Sequence, residues 1–103
     1  MMNFFKKLFG KNGPDFRQLV EDGAQIVDVR TAEEFSGGHI FKAINIPLQD
    51  LNEKAHQLDK NHPVITCCAS GVRSASAVSV LKNNGFIVYD GGGWQSLQKE
   101  ISN

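Results

Sequence analysis

Short runs of β-branched residues alternate along this chain with stretches in which apolar side chains return at helical spacing. Gln25-Ile26-Val27-Asp28-Val29, Ala43-Ile44-Asn45-Ile46, Val64-Ile65-Thr66-Cys67 and Phe86-Ile87-Val88-Tyr89 are mostly apolar and bounded by turn residues, which predicts four strands, the first of them buried. Pro47 stops the second and Pro63 sets off the third. Between them the period lengthens. A first helix opens at Pro14, shows Leu19 and Val20 to the core, and closes at Gly23 in the left-handed conformation. Thr31 with Glu34 three residues on forms a capping box, and Gly37-Gly38 ends that short helix. Leu48, Leu51, Ala55 and Leu58 recur as on one amphipathic helix. Residues 74–84 contain neither Gly nor Pro and place Ala77, Val78 and Leu81 on one face, with Asn83-Asn84-Gly85 as the stop. Gly91-Gly92-Gly93 reads as a flexible turn before a closing helix from Trp94 to Ile101.

This alternation predicts an α/β fold: right-handed βαβ crossovers around a mostly parallel sheet, with helices on both faces. Gly10, Gly13 and Pro14 divide a tail, residues 1–13, from a domain at 14–103.

Composition narrows the function classes. A chain of 103 residues with 41% hydrophobic and 21% charged positions is one ordinary globular domain. Its formal net charge is zero, so no strong field draws it to nucleic acid. No run reaches the roughly 20 apolar residues of a transmembrane segment. The tail carries Lys6, Lys7 and Lys11 beside Phe4, Phe5, Leu8 and Phe9 but has no uninterrupted signal-peptide core. Residues 1–10 therefore suit a weak membrane or protein contact, or a tail folded onto the domain. The two cysteines, Cys67 and Cys68, are adjacent. A bridge between neighbours strains the intervening peptide, which favours a reduced, cytoplasmic setting.

In open parallel sheets, ligands bind beyond the carboxyl ends of the strands. Cys68 lies there, between the third strand and the helix that follows. The segment Cys68-Ala69-Ser70-Gly71-Val72-Arg73-Ser74 can curl so that successive N–H groups converge on the sulfur. Gly71 gives the freedom to curl, and the helix adds its positive end. Both effects favour thiolate, so a lowered pKa for Cys68 is expected.

That segment resembles the rhodanese family, whose Cys-x-x-Gly-x-Arg-Ser pattern it matches at each fixed position. Asp28-Val29-Arg30 with Glu34-Phe35 matches too. So do Gly38-His39-Ile40 through Ala43, Asn45, Ile46 and Pro47, and Gly92-Gly93-Trp94, in family order. The resemblance implies a sheet of about five parallel strands and a two-step sulfur transfer through a Cys68 persulfide. The donor is thiosulfate or a persulfide and the acceptor a thiol or cyanide, without metal or organic cofactor. It also implies catalytic roles for Cys68 and Arg73, substrate contacts from Ala69, Ser70, Gly71, Val72 and Ser74, and support from Asp28, Arg30 and Trp94. Ala69 and Val72 depart from the polar residues of many active relatives. Arg73 is then the only charge in the loop, which disfavours thiosulfate, a dianion, as donor.

Other readings stand beside these. Counted from Cys67, five residues precede Arg73, the spacing of related cysteine phosphatases and arsenate reductases. Counted from Cys68, four do, the sulfurtransferase spacing. The strand accommodates Cys67 as a small hydrophobe, which favours the second register. A non-catalytic binding module on this fold is a further alternative. Asp28 is expected to pair with Arg73 or to fix the loop backbone, and Arg30 to form an ion pair with Glu34. The resemblance places His39 in a turn, and no cysteine–histidine spacing suggests zinc. Trp94 reads as core or pocket wall.

Overall fold

The computed structural model describes residues 13–102. Four strands, β1 (Gln25–Asp28), β2 (Ile44–Asn45), β3 (Val64–Cys68) and β4 (Val88–Gly93), form one parallel sheet in the order β2-β1-β3-β4. The helices are α1 (Phe16–Glu21), α2 (Ala32–Ser36), α3 (Leu51–Lys54), α4 (Val72–Asn83) and α5 (Trp94–Ser102). The fold is α/β with a parallel sheet, as expected, and among the described residues that sheet has four strands rather than about five. The tail predicted at residues 1–13, with its membrane or protein contact, lies almost wholly outside the described residues. No described helix is long and apolar enough to cross a membrane.

Period-two alternation separates two cores. Val27, Val64, Cys68, Ala77, Leu81 and Val88 pack with Leu51 and Ala55 on one face. Ile26, Ile65, Cys67 and Leu97 pack with Phe16 on the other. Burying each such aliphatic side chain contributes about 1.5–3 kcal/mol, so both faces hold the sheet. The order places β1 at the switch point. The chain leaves β1 for β2 on one side and returns to β3 on the other, which opens a crevice above the carboxyl ends of β1 and β3.

Local boundaries moved where a specific hydrogen bond outweighed the pattern. Asp15 caps α1 by accepting the Gln18 N–H at 3.1 Å, so the helix starts at Phe16 and Pro14 stays outside. The Thr31–Glu34 capping box is present in both directions. Of the apolar set, Leu51, Ala55 and Leu58 are buried and Leu48 is half-buried, yet the stretch is broken into a 3-10 turn, the single-turn α3 and a second 3-10 turn. Its first residue is tied to the sheet by Leu48 N–H donating to the Val29 carbonyl at 3.1 Å. The fourth strand begins at Val88, not Phe86, because the Phe86 N–H caps the Leu81 carbonyl of α4. Nor are Gly91 to Gly93 a free turn. They extend β4, and a Cβ at Gly91 would sit 2.5 Å from the Thr66 carbonyl oxygen. Only glycine permits that approach.

Candidate functional site

β3 is buried along its whole length, and its alternation sends neighbouring cysteines to opposite sides. Cys67 is 0% exposed in the cluster with Phe16, Ile65 and Leu97. Cys68 is 1% exposed on the face covered by α4. Past Cys68 the chain curls and enters α4 at Gly71, whose φ of +106° lies in the left-handed region. A side chain there is strained by about 1–2 kcal/mol.

The curl aims main-chain donors at sulfur. The Gly71 N–H donates to Cys68 Sγ at 3.0 Å and the Ser74 N–H at 3.3 Å. Burial is the largest single influence on the Cys68 thiol and pushes its pKa up. The N–H groups of Ser74 and Gly71, the Ser74 side chain and the Ser70 N–H together outweigh it, so the pKa falls below the ordinary thiol value. Cys67 has no such donors. Burial, then the Asp28 charge, push it up to about 12.

Two arginine–carboxylate pairs brace the site, and neither is the predicted one. Arg73 grips Glu34 with both nitrogens, Nη1 to Oε1 at 2.8 Å and Nη2 to Oε2 at 3.0 Å. Arg73, then the Thr31 N–H, hold the Glu34 carboxyl down to about 2. Glu34 in turn keeps Arg73 charged. Asp28 does not reach Arg73. It binds Arg30, whose Nε and Nη2 donate at 2.9 and 2.7 Å, and it accepts the Arg30 N–H at 3.1 Å. Arg30 therefore pairs with Asp28 and gives Glu34 only a bond to its main-chain oxygen. Arg30 also lies 4.7 Å from the Trp94 ring centre, a cation–π contact. Trp94 thus forms part of the wall of the second core. Asn45 ties these pieces together by donating to the Asp28 and Arg30 carbonyls.

The remaining predicted positions divide by atom. Ala69, Ser70 and Val72 are exposed; Ser70 brings its main-chain N–H to the sulfur. Ser74 is fully buried. His39 stacks on Phe35, with Nδ1 2.7 Å from the Phe35 carbonyl oxygen. A cleft of about 510 Å³ opens beside the loop, between Val29, Thr31, Pro47, Leu48 and Arg73. A slightly larger one, about 550 Å³, lies at the amino end of β1, near Gln25, Phe41 and Ile101, and none of the loop residues line it.

One residue escaped the sequence reading. Asp90 Oδ1 accepts from Ser74 Oγ at 2.7 Å and from the Gly92 N–H at 2.9 Å. It is an exposed residue and the last paired position before the β3–β4 register slips, since Thr66 pairs with Asp90 but Cys68 with Gly93. Such a bulge re-aims a side chain. Its available signal was topological, a carboxylate at the same strand ends as Cys68.

Comparisons with known proteins bear on the family and the fold. The family profile described as the Rhodanese-like domain matches residues 13–100. The chain is 36% identical over 86 residues to thiosulfate sulfurtransferase GlpE of Pseudomonas aeruginosa, covering 79% of this chain and 78% of that protein. It is 44% identical over 62 residues to the uncharacterized protein YqhL of Bacillus subtilis, covering 60% of this chain but only 49% of that protein. The chain thus spans about half the length of that relative. Among solved structures, a rhodanese-related protein from Thermoplasma volcanium superposes with a TM-score of 0.70 at 36% identity, over 82% of this chain and 88% of its own. On sequence profile, relatives and fold together, the chain belongs to the rhodanese-like family.

Proposed function

We propose that the chain is a sulfurtransferase that carries sulfane sulfur on Cys68. The supporting observation is the sulfur itself: a buried thiol that accepts main-chain N–H groups and ionises more readily than an ordinary one. In the loading step the Cys68 thiolate attacks the outer sulfur of a donor. A new S–S bond forms, the donor's S–S bond breaks, and its electron pair leaves with sulfite or a thiolate. In the second step a thiol or cyanide attacks the outer sulfur, and the electron pair of the broken bond returns to Cys68. The amide cradle holds negative charge in both steps, with no proton acceptor needed beside the sulfur.

The cysteine phosphatase reading loses support because Cys67 points away from the loop into an apolar cluster. We favour a persulfide over thiosulfate as donor. Arg73, the loop's only cation, is already engaged by Glu34, and Val72 is 76% exposed beside it, a surface better suited to a partner than to a dianion. A reduced, cytoplasmic setting fits a working thiolate.

The test is intact-mass measurement after exposure to thiosulfate and, separately, to a persulfide donor. The protein should gain one sulfur atom, removable by cyanide and absent from Cys68→Ser. Loss of loading in Cys67→Ser with retention in Cys68→Ser would reverse the register and revive the phosphatase reading.

A further inference from the structure

At the end of the sheet away from Cys68, the second core opens to the surface. The cleft of about 550 Å³ there is lined by Val20 of α1, Ala24, Ile40, Phe41, Ile44 of β2 and Ile101 of α5. Phe41 is 81% exposed and Ile44 36%. β2 is two residues long and forms an edge of the sheet. The turn between Phe41 and β2 holds Lys42 at φ +69°, the one non-glycine residue in the left-handed region among the described residues. Strain of that kind, beside exposed apolar side chains and a cleft, marks a place built for contact.

The chain carries a segment suited to fill it. Residues 1–12 precede the described residues. Within them Met1, Phe4, Phe5, Leu8 and Phe9 recur at the spacing of one helix face, with Lys6 and Lys7 between. The reach is sufficient. Six residues, 10–15, separate Phe9 from α1 and span up to about 20 Å when extended. Val20 lies only about 6 Å along α1 from its first residue, and Gly13, at φ +106°, gives the chain a turn where the link meets the domain. Overall charge agrees as well. The tail holds three lysines and no acid, while the rest of the chain has eight basic and eleven acidic residues. At the cleft itself Asp22 and Glu100 adjoin lining residues, but so do Lys42 and Lys99. Apolar burial, not local charge, therefore fixes the place.

We propose that the segment Met1 to Phe9 folds back onto its own domain and docks in this cleft, setting Phe4, Phe5, Leu8 and Phe9 against the apolar wall around Phe41, Ile44 and Ile101. An amphipathic segment laid in an apolar groove is a recurrent mode of recognition. The tether is what favours this occupant over a second copy or a membrane. A short flexible link holds the segment at an effective concentration of about 1 mM, so contacts too weak to capture a separate partner suffice. The cleft and Cys68 lie at opposite ends of the sheet, and the inference does not depend on the sulfur chemistry.

The experiment is hydrogen exchange of the full chain, read by mass spectrometry. It compares wild type, the cleft variant Phe41→Ser, and a tail variant combining Phe4→Ser, Phe5→Ser, Leu8→Ser and Phe9→Ser. An affinity of about 0.1 mM against that effective concentration leaves the segment docked about ten to one. Amides of residues 4–9 in wild type should therefore exchange about tenfold more slowly than in an unstructured peptide. Residues 40–46 and 98–102 should exchange faster in the tail variant than in wild type. Phe41→Ser should release residues 4–9 toward unstructured rates. Unstructured rates in wild type, or protection that Phe41→Ser leaves intact, would overturn the proposal. So would protection that grows with protein concentration, the sign of a second copy's tail, or that appears only with phosphatidylglycerol vesicles, the sign of a membrane segment. If Phe41→Ser does not fold, the tail variant carries the comparison, and equal exchange of residues 40–46 and 98–102 in it and in wild type refutes docking.

Discussion

Cys67 and Cys68 share a strand, a peptide bond and almost complete burial, yet their thiols are driven in opposite directions. On the closed face, Cys67 meets apolar side chains and the charge of Asp28, which the Arg30 charge offsets only in part, and it stays protonated. On the other face, the curl after β3 turns N–H groups onto Cys68. Depth alone therefore does not set acidity. What decides is whether burial comes with donors aimed at the sulfur. The difference is produced by the two-residue period of the strand followed by one left-handed glycine.

The sharpest way to break this comparison is to exchange the two positions' sulfur. Cys68→Ser should abolish sulfur loading, whereas Cys67→Ser should keep most of it and instead lose stability. A hydroxyl placed in that apolar cluster costs about 1–3 kcal/mol, to be read from denaturant midpoints. Next in size is Gly71→Ala. The left-handed φ of +106° resists a side chain, so the variant should lose about 1–2 kcal/mol. With the cradle disturbed, Cys68 alkylation should move back toward an ordinary thiol profile.

Smaller effects sharpen the comparison by charge. Ala69→Arg adds a cation that Glu34 does not already hold. It should lower the Michaelis constant for thiosulfate several-fold, with a gain that salt erodes, and leave persulfide donors nearly unaffected. Cys67→Val probes the alkaline side. The Cys67 pKa is raised in the fold, to about 12, so its contribution to stability is complete below the unfolded thiol value and is lost as pH climbs toward 12. Cys67→Val should remove that alkaline loss from a pH series of urea midpoints. Smallest is the acid side. The Glu34 pKa is lowered to about 2, so its contribution is present above the unfolded carboxyl value and fades as pH falls toward 2. Glu34→Gln should flatten that fade.

Much of this was legible in the chain. The alternation of strands and helices, the capping box at Thr31 and Glu34, and the curl after Cys68 are local patterns that the structure keeps. What was not legible came from pairings, near and far, that the hydrophobic pattern does not encode. Glu34 was read as a cap and a partner for Arg30, but its carboxylate belongs equally to Arg73, 39 residues away. Asp28 was expected to pair with Arg73 or to fix the loop backbone, and instead it clasps Arg30 two residues on. The three glycines before Trp94 looked like a turn because no sequence rule announces that a strand must pass close to the Thr66 carbonyl. Asp90 was overlooked for the same reason, since only the register slip beside those glycines brings it to Ser74.

The contrast between the two cysteines is tested most directly by mass-resolved alkylation of the folded protein across pH. Cys68 should remain reactive well below the pH at which a free thiol, with a pKa near 8.5, stops reacting. Cys67 should stay unmodified until the protein unfolds. Equal labelling of both cysteines, or a Cys68 profile no different from a free thiol, would contradict the account.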